Sequence, residues 1–255
     1  MIGPELLENI ARKEQTSVFP NIVREYVQHL FLTELYQLPE SEKLLFKGGT
    51  ALRIVYNSPR FSEDLDFSLF GVMPNEVGLF VEHLFISVLA KLEGTGIKIE
   101  ISNKSASTSG GGYFGLATLN TDGYAPINIE INISSRDKSI VQGEVDSITN
   151  NFVPTYTLYH LPQETLVDEK IFGALIERKK PRDYYDLYFM MRKGMLSAKQ
   201  KKHLSEVAQE IINSSRQVDF QSELGTFLPA NQQDIIRNFS QTLEREMRNQ
   251  LSFNQ

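Results

Sequence analysis

The chain of 255 residues contains no cysteine. Disulfides, thiol nucleophiles, iron–sulfur clusters and cysteine-ligated zinc are thereby excluded. Histidine is also scarce: His29, His83, His160 and His203 are far apart and give little support to a histidine metal site. A metal used here should be hard and held by oxygens, which means Mg2+ or Mn2+. No apolar run approaches the roughly 20 residues that a membrane-spanning helix needs. The opening MIGPELLENIARKEQ reads as an amphipathic helix carrying acids, unlike a signal or transit peptide. A cytoplasmic location with no membrane partner is the expectation. A basic surplus is missing too, since the formal charge is −6. That argues against a protein that simply coats nucleic acid, because phosphate neutralisation dominates such affinity. It leaves room for a local basic groove; ERKKPR (177–182) and AKQKKH (198–203) are the densest basic patches, each read as a solvated helix end.

What remains is ordinary for a soluble globular protein, with 41% hydrophobic and 23% charged residues. The length allows one large domain or two modest ones. Ile22, Val23, Tyr26, Val27, Leu30 and Phe31 form a broad helical stripe, with Pro20 near its start. The short apolar run LLF (44–46) ends at Gly48-Gly49 as a buried strand would. A short helix over 50–57 follows, closed by Asn57, Ser58 and Pro59. DLDFSLF then alternates, with Leu65, Phe67 and Leu69 on one side and Asp64, Asp66 and Ser68 on the other. Residues 76–92 predict an amphipathic helix, and 97–102 and about 113–119 predict strands. PINIEINIS (126–134) is the cleanest strand, with four alternating isoleucines opposite Asn128, Glu130 and Asn132. The glycine run 110–112 lacks the Lys-Ser/Thr of a phosphate loop and reads as a hairpin connection. From about Pro162 the pattern is helical throughout, and Tyr184, Tyr185, Tyr188 and Phe189 read as core at helical spacing. The expected fold class is α+β: a small mixed sheet flanked by helices, then an α-helical part.

Within FKGGTALRIVYNSPRFSEDLDF (46–67) lies the chemistry. On a strand, Asp64 and Asp66 share a face with Cα atoms roughly 6.5–7 Å apart. Two carboxylates so placed repel, and a divalent cation reverses the sign by making both of them ligands. Glu130 is the acid on the polar face of the isoleucine strand. If that strand pairs beside DLDF, all three acids project together, as a Mg2+ site for phosphoryl chemistry requires. Gly48 and Gly49 permit close backbone approach to a phosphate, Thr50 could cap the helix or bond a phosphate oxygen, and Lys47 adds positive charge.

The order Gly-Gly-Thr, short helix, Asp-x-Asp resembles the signature of the nucleotidyltransferase superfamily related to DNA polymerase β. FKGGTAL…RFSEDLDF together with DEKIFGALIERKKPRDYYDLYFM (168–190) resembles more narrowly the AbiEii/AbiGii-type nucleotidyltransferases, toxins of type IV toxin–antitoxin and abortive-infection systems. The resemblance implies a nucleotidyltransferase-like domain over 1–157 and a helical domain over 158–255 that completes the active-site cleft. It implies nucleotide binding by Lys47, Gly48, Gly49, Thr50, Lys170, Arg182 and Asp183. It further implies Mg2+ ligation by Asp64, Asp66 and Glu130, and catalytic roles for these three with Lys170 and Asp186. The expected reaction moves an NMP from an NTP to a hydroxyl acceptor such as RNA or tRNA, with a cognate antitoxin as protein partner. Two alternatives stay open: a catalytically idle nucleotidyltransferase fold that binds nucleotide or protein, and a phosphotransferase acting on a small molecule or a protein hydroxyl.

Overall fold

Isoleucine at every second position builds the strand at the heart of the sheet. Ile127, Ile129, Ile131 and Ile133 are buried, while Asn128 and Glu130 between them are exposed. The computed structural model describes residues 3–16, 18–94, 98–102, 112–120, 126–136 and 141–251. Along them run α1 (Pro4–Lys13), α2 (Phe19–Leu35), β1 (Leu44–Lys47), α3 (Gly48–Ile54), β2 (Leu65–Leu69) and α4 (Val77–Glu93). Then come β3 (Lys98–Ser102), β4 (Tyr113–Asn120), β5 (Ile127–Ser135), β6 (Glu144–Ile148) and β7 (Tyr156–His160). The strands form one seven-stranded mixed sheet in the order β3-β4-β5-β2-β1-β7-β6. β2 with β5 and β1 with β7 are parallel; the other neighbours are antiparallel. The hairpin connection expected at the glycine run falls at 103–111, outside the described residues apart from Gly112. The strands flanking it pair antiparallel.

Helices α2 and α4 pack on each other and on the sheet. Ile22, Val23, Tyr26, Val27 and Phe31 of α2 are buried, and the Phe31 ring meets Phe85 of α4 edge-on at 5.4 Å. Pro20 sits in the first turn of α2, where a missing N–H costs nothing. Asn57 ends the segment after α3 with φ +60°, a conformation that asparagine tolerates better than most residues. Two strands lay outside the sequence reading: β6, exposed except at Ile148, and the short β7.

The chain separates into two compact units, Met1–Asn57 with Phe61–Leu161, and Ser58–Arg60 with Pro162–Gln255. The second is helical: α5 (Gln163–Asp168), a π-helical stretch Glu169–Leu175, α6 (Ile176–Arg178), α7 (Pro181–Arg192), α8 (Ala198–Ser215), α9 (Gln221–Phe227), a 3-10 stretch Ala230–Asn238 and α10 (Phe239–Gln250). Tyr184 and Tyr185 are buried as core residues, their rings against Phe220 and Phe239 respectively.

Candidate active site

Strand register decides which polar groups of the α/β unit meet. Lys47 of β1 stands opposite Asp66 of β2, and Asp66 stands beside Asn132 of β5. Residues paired in register project to the same face, so these three form a row across the sheet. The Asn132 amide donates to Asp66 Oδ1 at 3.3 Å, and Lys47 Nζ reaches Ser134 Oγ at 3.4 Å. Continuing the β2–β5 register back by one residue sets Asp64 beside Glu130. Both line one cavity of about 540 Å³. The expected pairing of the isoleucine strand with the Asp-x-Asp strand is therefore present.

Gly48 is needed for two independent reasons. Its φ is +81°, and a Cβ added there would lie 2.1 Å from Asp66 Oδ2. The glycine turn and the Asp66 carboxylate are thus in direct apposition. Helix α3 begins at Gly48, two residues before the expected start, so Thr50 lies inside it and does not cap it. Thr50 is fully buried, and its hydroxyl donates to the backbone carbonyl of Asp64. This side chain ties α3 to the residue that leads into β2; the fold uses its hydroxyl to place Asp64.

The donors on this face fit a hard divalent cation. Asp64, just before β2, and Asp66 within it are two residues apart and offer carboxylate oxygens, the donor type such a cation takes. Among the described residues, no group of three or more His, Cys, Asp or Glu side chains is gathered closely enough to hold a metal. Glu130 continues the same register beside Asp64 and lines the same cavity.

The helical unit carries a second cluster. Lys170 lies in the π-helical stretch, and its Nζ donates to Asp186 Oδ2 at 2.8 Å. Arg60 grips the same carboxylate with two prongs, Nε to Oδ1 at 2.9 Å and Nη2 to Oδ2 at 3.0 Å. Asp186 is 1% exposed. Burial alone would raise its pKa, but the Arg60 and Lys170 charges outweigh it and hold the carboxyl below its ordinary value. Within the helical unit Asp186 is therefore the buried anchor of the Lys170 ammonium. Arg60 was not singled out in the sequence. Its partner is 126 residues away, and an arginine after Ser-Pro carries no pattern of its own.

The remaining expected residues have local tasks. Asp183 is buried, accepts the Lys180 N–H at the start of α7 and pairs with Arg178. It is a helix-start residue whose carboxylate is already engaged. Arg182 lies beside Glu223 of α9, its backbone N–H donating to that carboxylate at 3.2 Å. Gly173, one turn from Lys170, has open space where a Cβ would be.

A sequence profile described as nucleotidyl transferase AbiEii toxin, type IV TA system, matches residues 30–253. The chain belongs to the AbiEii nucleotidyltransferase toxin family. Solved structures give the same fold. One, a candidate nucleotidyltransferase from H. pylori, has TM-score 0.56 at 19% identity, covering 89% of this chain and 96% of its own. JHP933 from Helicobacter pylori has TM-score 0.56 at 20% identity, covering 90% and 94%. None of the curated proteins matches the sequence. Membership makes this AbiEii-family chain a nucleotidyltransferase, and it implies a nucleotide substrate and a cognate antitoxin. Among the described residues, no helix is long and apolar enough to cross a membrane.

Proposed function

We propose that this AbiEii-family protein transfers an NMP from an NTP to a hydroxyl of RNA, using Mg2+ held by Asp64 and Asp66. The observation that carries this reading is the apposition of Gly48 and Asp66. A backbone turn fit for phosphate meets a metal-ligating carboxylate at van der Waals contact, on one face of the sheet. Lys47 brings positive charge to the same row. In the reaction the acceptor oxygen bonds to the α-phosphorus while the bond from that phosphorus to the bridging oxygen breaks. Pyrophosphate leaves with the electron pair, and the hydroxyl proton passes to solvent. A bound Mg2+ supplies neutralisation of phosphate charge. In the α/β unit the protein's own residues hold the geometry: Thr50 fixes Asp64 through its carbonyl and Asn132 orients Asp66.

Incubation with each α-labelled NTP, total RNA and Mg2+ should label RNA, and the Asp64→Ala/Asp66→Ala variant should not. Label transfer that persists in the double variant would overturn the mechanism. Nucleotide binding without turnover by any NTP would point instead to an idle fold.

A further inference from the structure

We infer that Arg53 is a positioning residue for the transfer reaction, clamping α3 so that the Gly48 turn meets Asp66 in the arrangement that serves the nucleotide. This rests on the reading above and adds a residue that acts through that turn. α3 has seven residues, Gly48–Ile54, and opens with two glycines. A helix of two turns is too short to hold itself in water, and glycine weakens it further. No side chain caps its start. The turn that needs the closest placement therefore has little of its own to fix it, and its position is set by contacts further along the helix.

Arg53, in the last turn of α3, supplies them. Its guanidinium forks onto Glu25 of α2, Nε to Oε1 at 2.9 Å and Nη2 to Oε2 at 3.1 Å, and Nη2 also reaches Glu14 Oε2 at 3.2 Å. Glu14 is the residue that ends α1. The guanidinium carbon lies 4.2 Å from the centroid of the buried Phe61 ring. Phe61 stands shortly before Asp64 in the stretch that leads into β2. α3 is thus tied to that stretch twice, by Arg53 over Phe61 and by the Thr50 hydroxyl on the Asp64 carbonyl. The Arg53 and Glu25 side chains are only 12% and 10% exposed, so solvent screens the pair weakly and the fork holds its geometry. Burial lifts the Glu25 pKa, and the Arg53 charge opposes that rise. Glu14 and Glu25 both precede residue 30, where the family profile begins. The N-terminal helices therefore brace a turn that belongs to the family's shared segment.

Label transfer from an α-labelled NTP is measured against NTP concentration and against RNA concentration. Arg53→Met should lower kcat/KM for NTP by about 100-fold through both parameters, as a misplacement of about 1 Å does, and leave KM for RNA within about twofold. Removing the guanidinium strands Glu25, so the double variant Glu25→Gln/Arg53→Met is measured beside it; with no stranded charge it keeps its fold and should show the same loss. Arg53→Lys keeps the charge without the fork and should recover melting temperature more fully than kcat/KM. Val88→Ala opens a cavity in the core beneath α4, and it should destabilise the same unit while leaving KM for NTP unchanged. Unchanged NTP kinetics in the double variant overturn the assignment while transfer stands. An equal rise in KM for NTP in Val88→Ala, or a loss that falls on KM for RNA, does the same. If the native protein labels no RNA, the proposed reaction fails, and the clamp is judged by hydrogen exchange followed by mass spectrometry. Amides of residues 52–55 in the double variant should then lose about tenfold more protection than those of β5, which upholds the clamp. Equal protection in both segments removes it.

Discussion

At residue 48 one missing side chain holds two demands at once. Gly48→Ala puts a methyl into the left-handed region, which costs of order 1–3 kcal/mol for a non-glycine residue, and drives it onto Asp66 Oδ2. Denaturant melts should show that loss, and label transfer should fall further than stability because the carboxylate has to move. A variant that loses stability yet keeps full transfer would separate Asp66 from the reaction. Asp186 lies at the centre of a charge cluster inside the helical unit. Removing one member of a buried, hydrogen-bonded ion cluster strands the others, so Asp186→Leu should cost about 3–5 kcal/mol. Adding Arg60→Met should restore much of that, since the stranded guanidinium is then gone. The double-mutant cycle in urea measures the coupling, and additive losses would mean the bonds seen at 2.9 and 3.0 Å contribute little. The Gly-Gly turn and the Asp-x-Asp pair were legible in the sequence because both are local patterns. Arg60 was not, because the residue that explains it lies far along the chain. The tasks of Thr50 and Asp183 also depend on neighbours that only folding supplies.

Elements with a strong apolar period were readable, and those without one were not. The isoleucine alternation of β5 and the helical stripes of α2 and α4 appear where the residues put them. Strand β6, EVDSI, is exposed at four of its five positions, so it carries no inward-facing pattern to detect. Its pairing with β7 is a fact of topology. The π-helical turn Glu169–Leu175 is equally silent in sequence, since it differs from an α-helix only in which carbonyl each N–H finds. That turn holds Lys170 and the open position at Gly173. An interior glycine costs a helix roughly 0.5–1 kcal/mol relative to alanine, and a Cβ at 173 meets nothing within 4 Å. Gly173→Ala should therefore raise the melting temperature. If the space beside Lys170 is kept for nucleotide, the same substitution should raise KM for NTP. A stabler variant with unchanged KM would show the space to be unused.

Over the whole molecule, the two units should respond to acid in different pH ranges. In the α/β unit His29 is buried with its Nδ1 2.9 Å from the Tyr156 hydroxyl, and its ring packs against Phe152. Burial, reinforced by the Arg53 charge, pushes its pKa down from 6.5 to about 3. The unfolded chain then takes a proton at pH 6.5 that the native state refuses until pH 3. The stability tied to neutral His29 is complete above pH 6.5 and falls by up to about 1.4 kcal/mol per pH unit on the way to 3. Glu25 in the same unit works in the opposite direction, because burial holds its pKa above 4.5 and the native state accepts that proton first. Its protonation in the native state offsets part of the loss from His29. In the helical unit Asp186 stays ionised below its ordinary 3.8, so its contribution persists down to that range and is lost only beneath it. Hydrogen exchange followed by mass spectrometry at pH 7 and pH 5, corrected for intrinsic rates, should show the difference. Amides of α2 and β7 should lose protection by about 30-fold, the equivalent of 1.5 pH units below 6.5. Those of α7 should hold. His29→Gln keeps a neutral side chain that does not titrate, and it should flatten the response of the α/β unit. Equal losses in both units, or an unchanged slope in the glutamine variant, would place the acid sensitivity elsewhere than at His29.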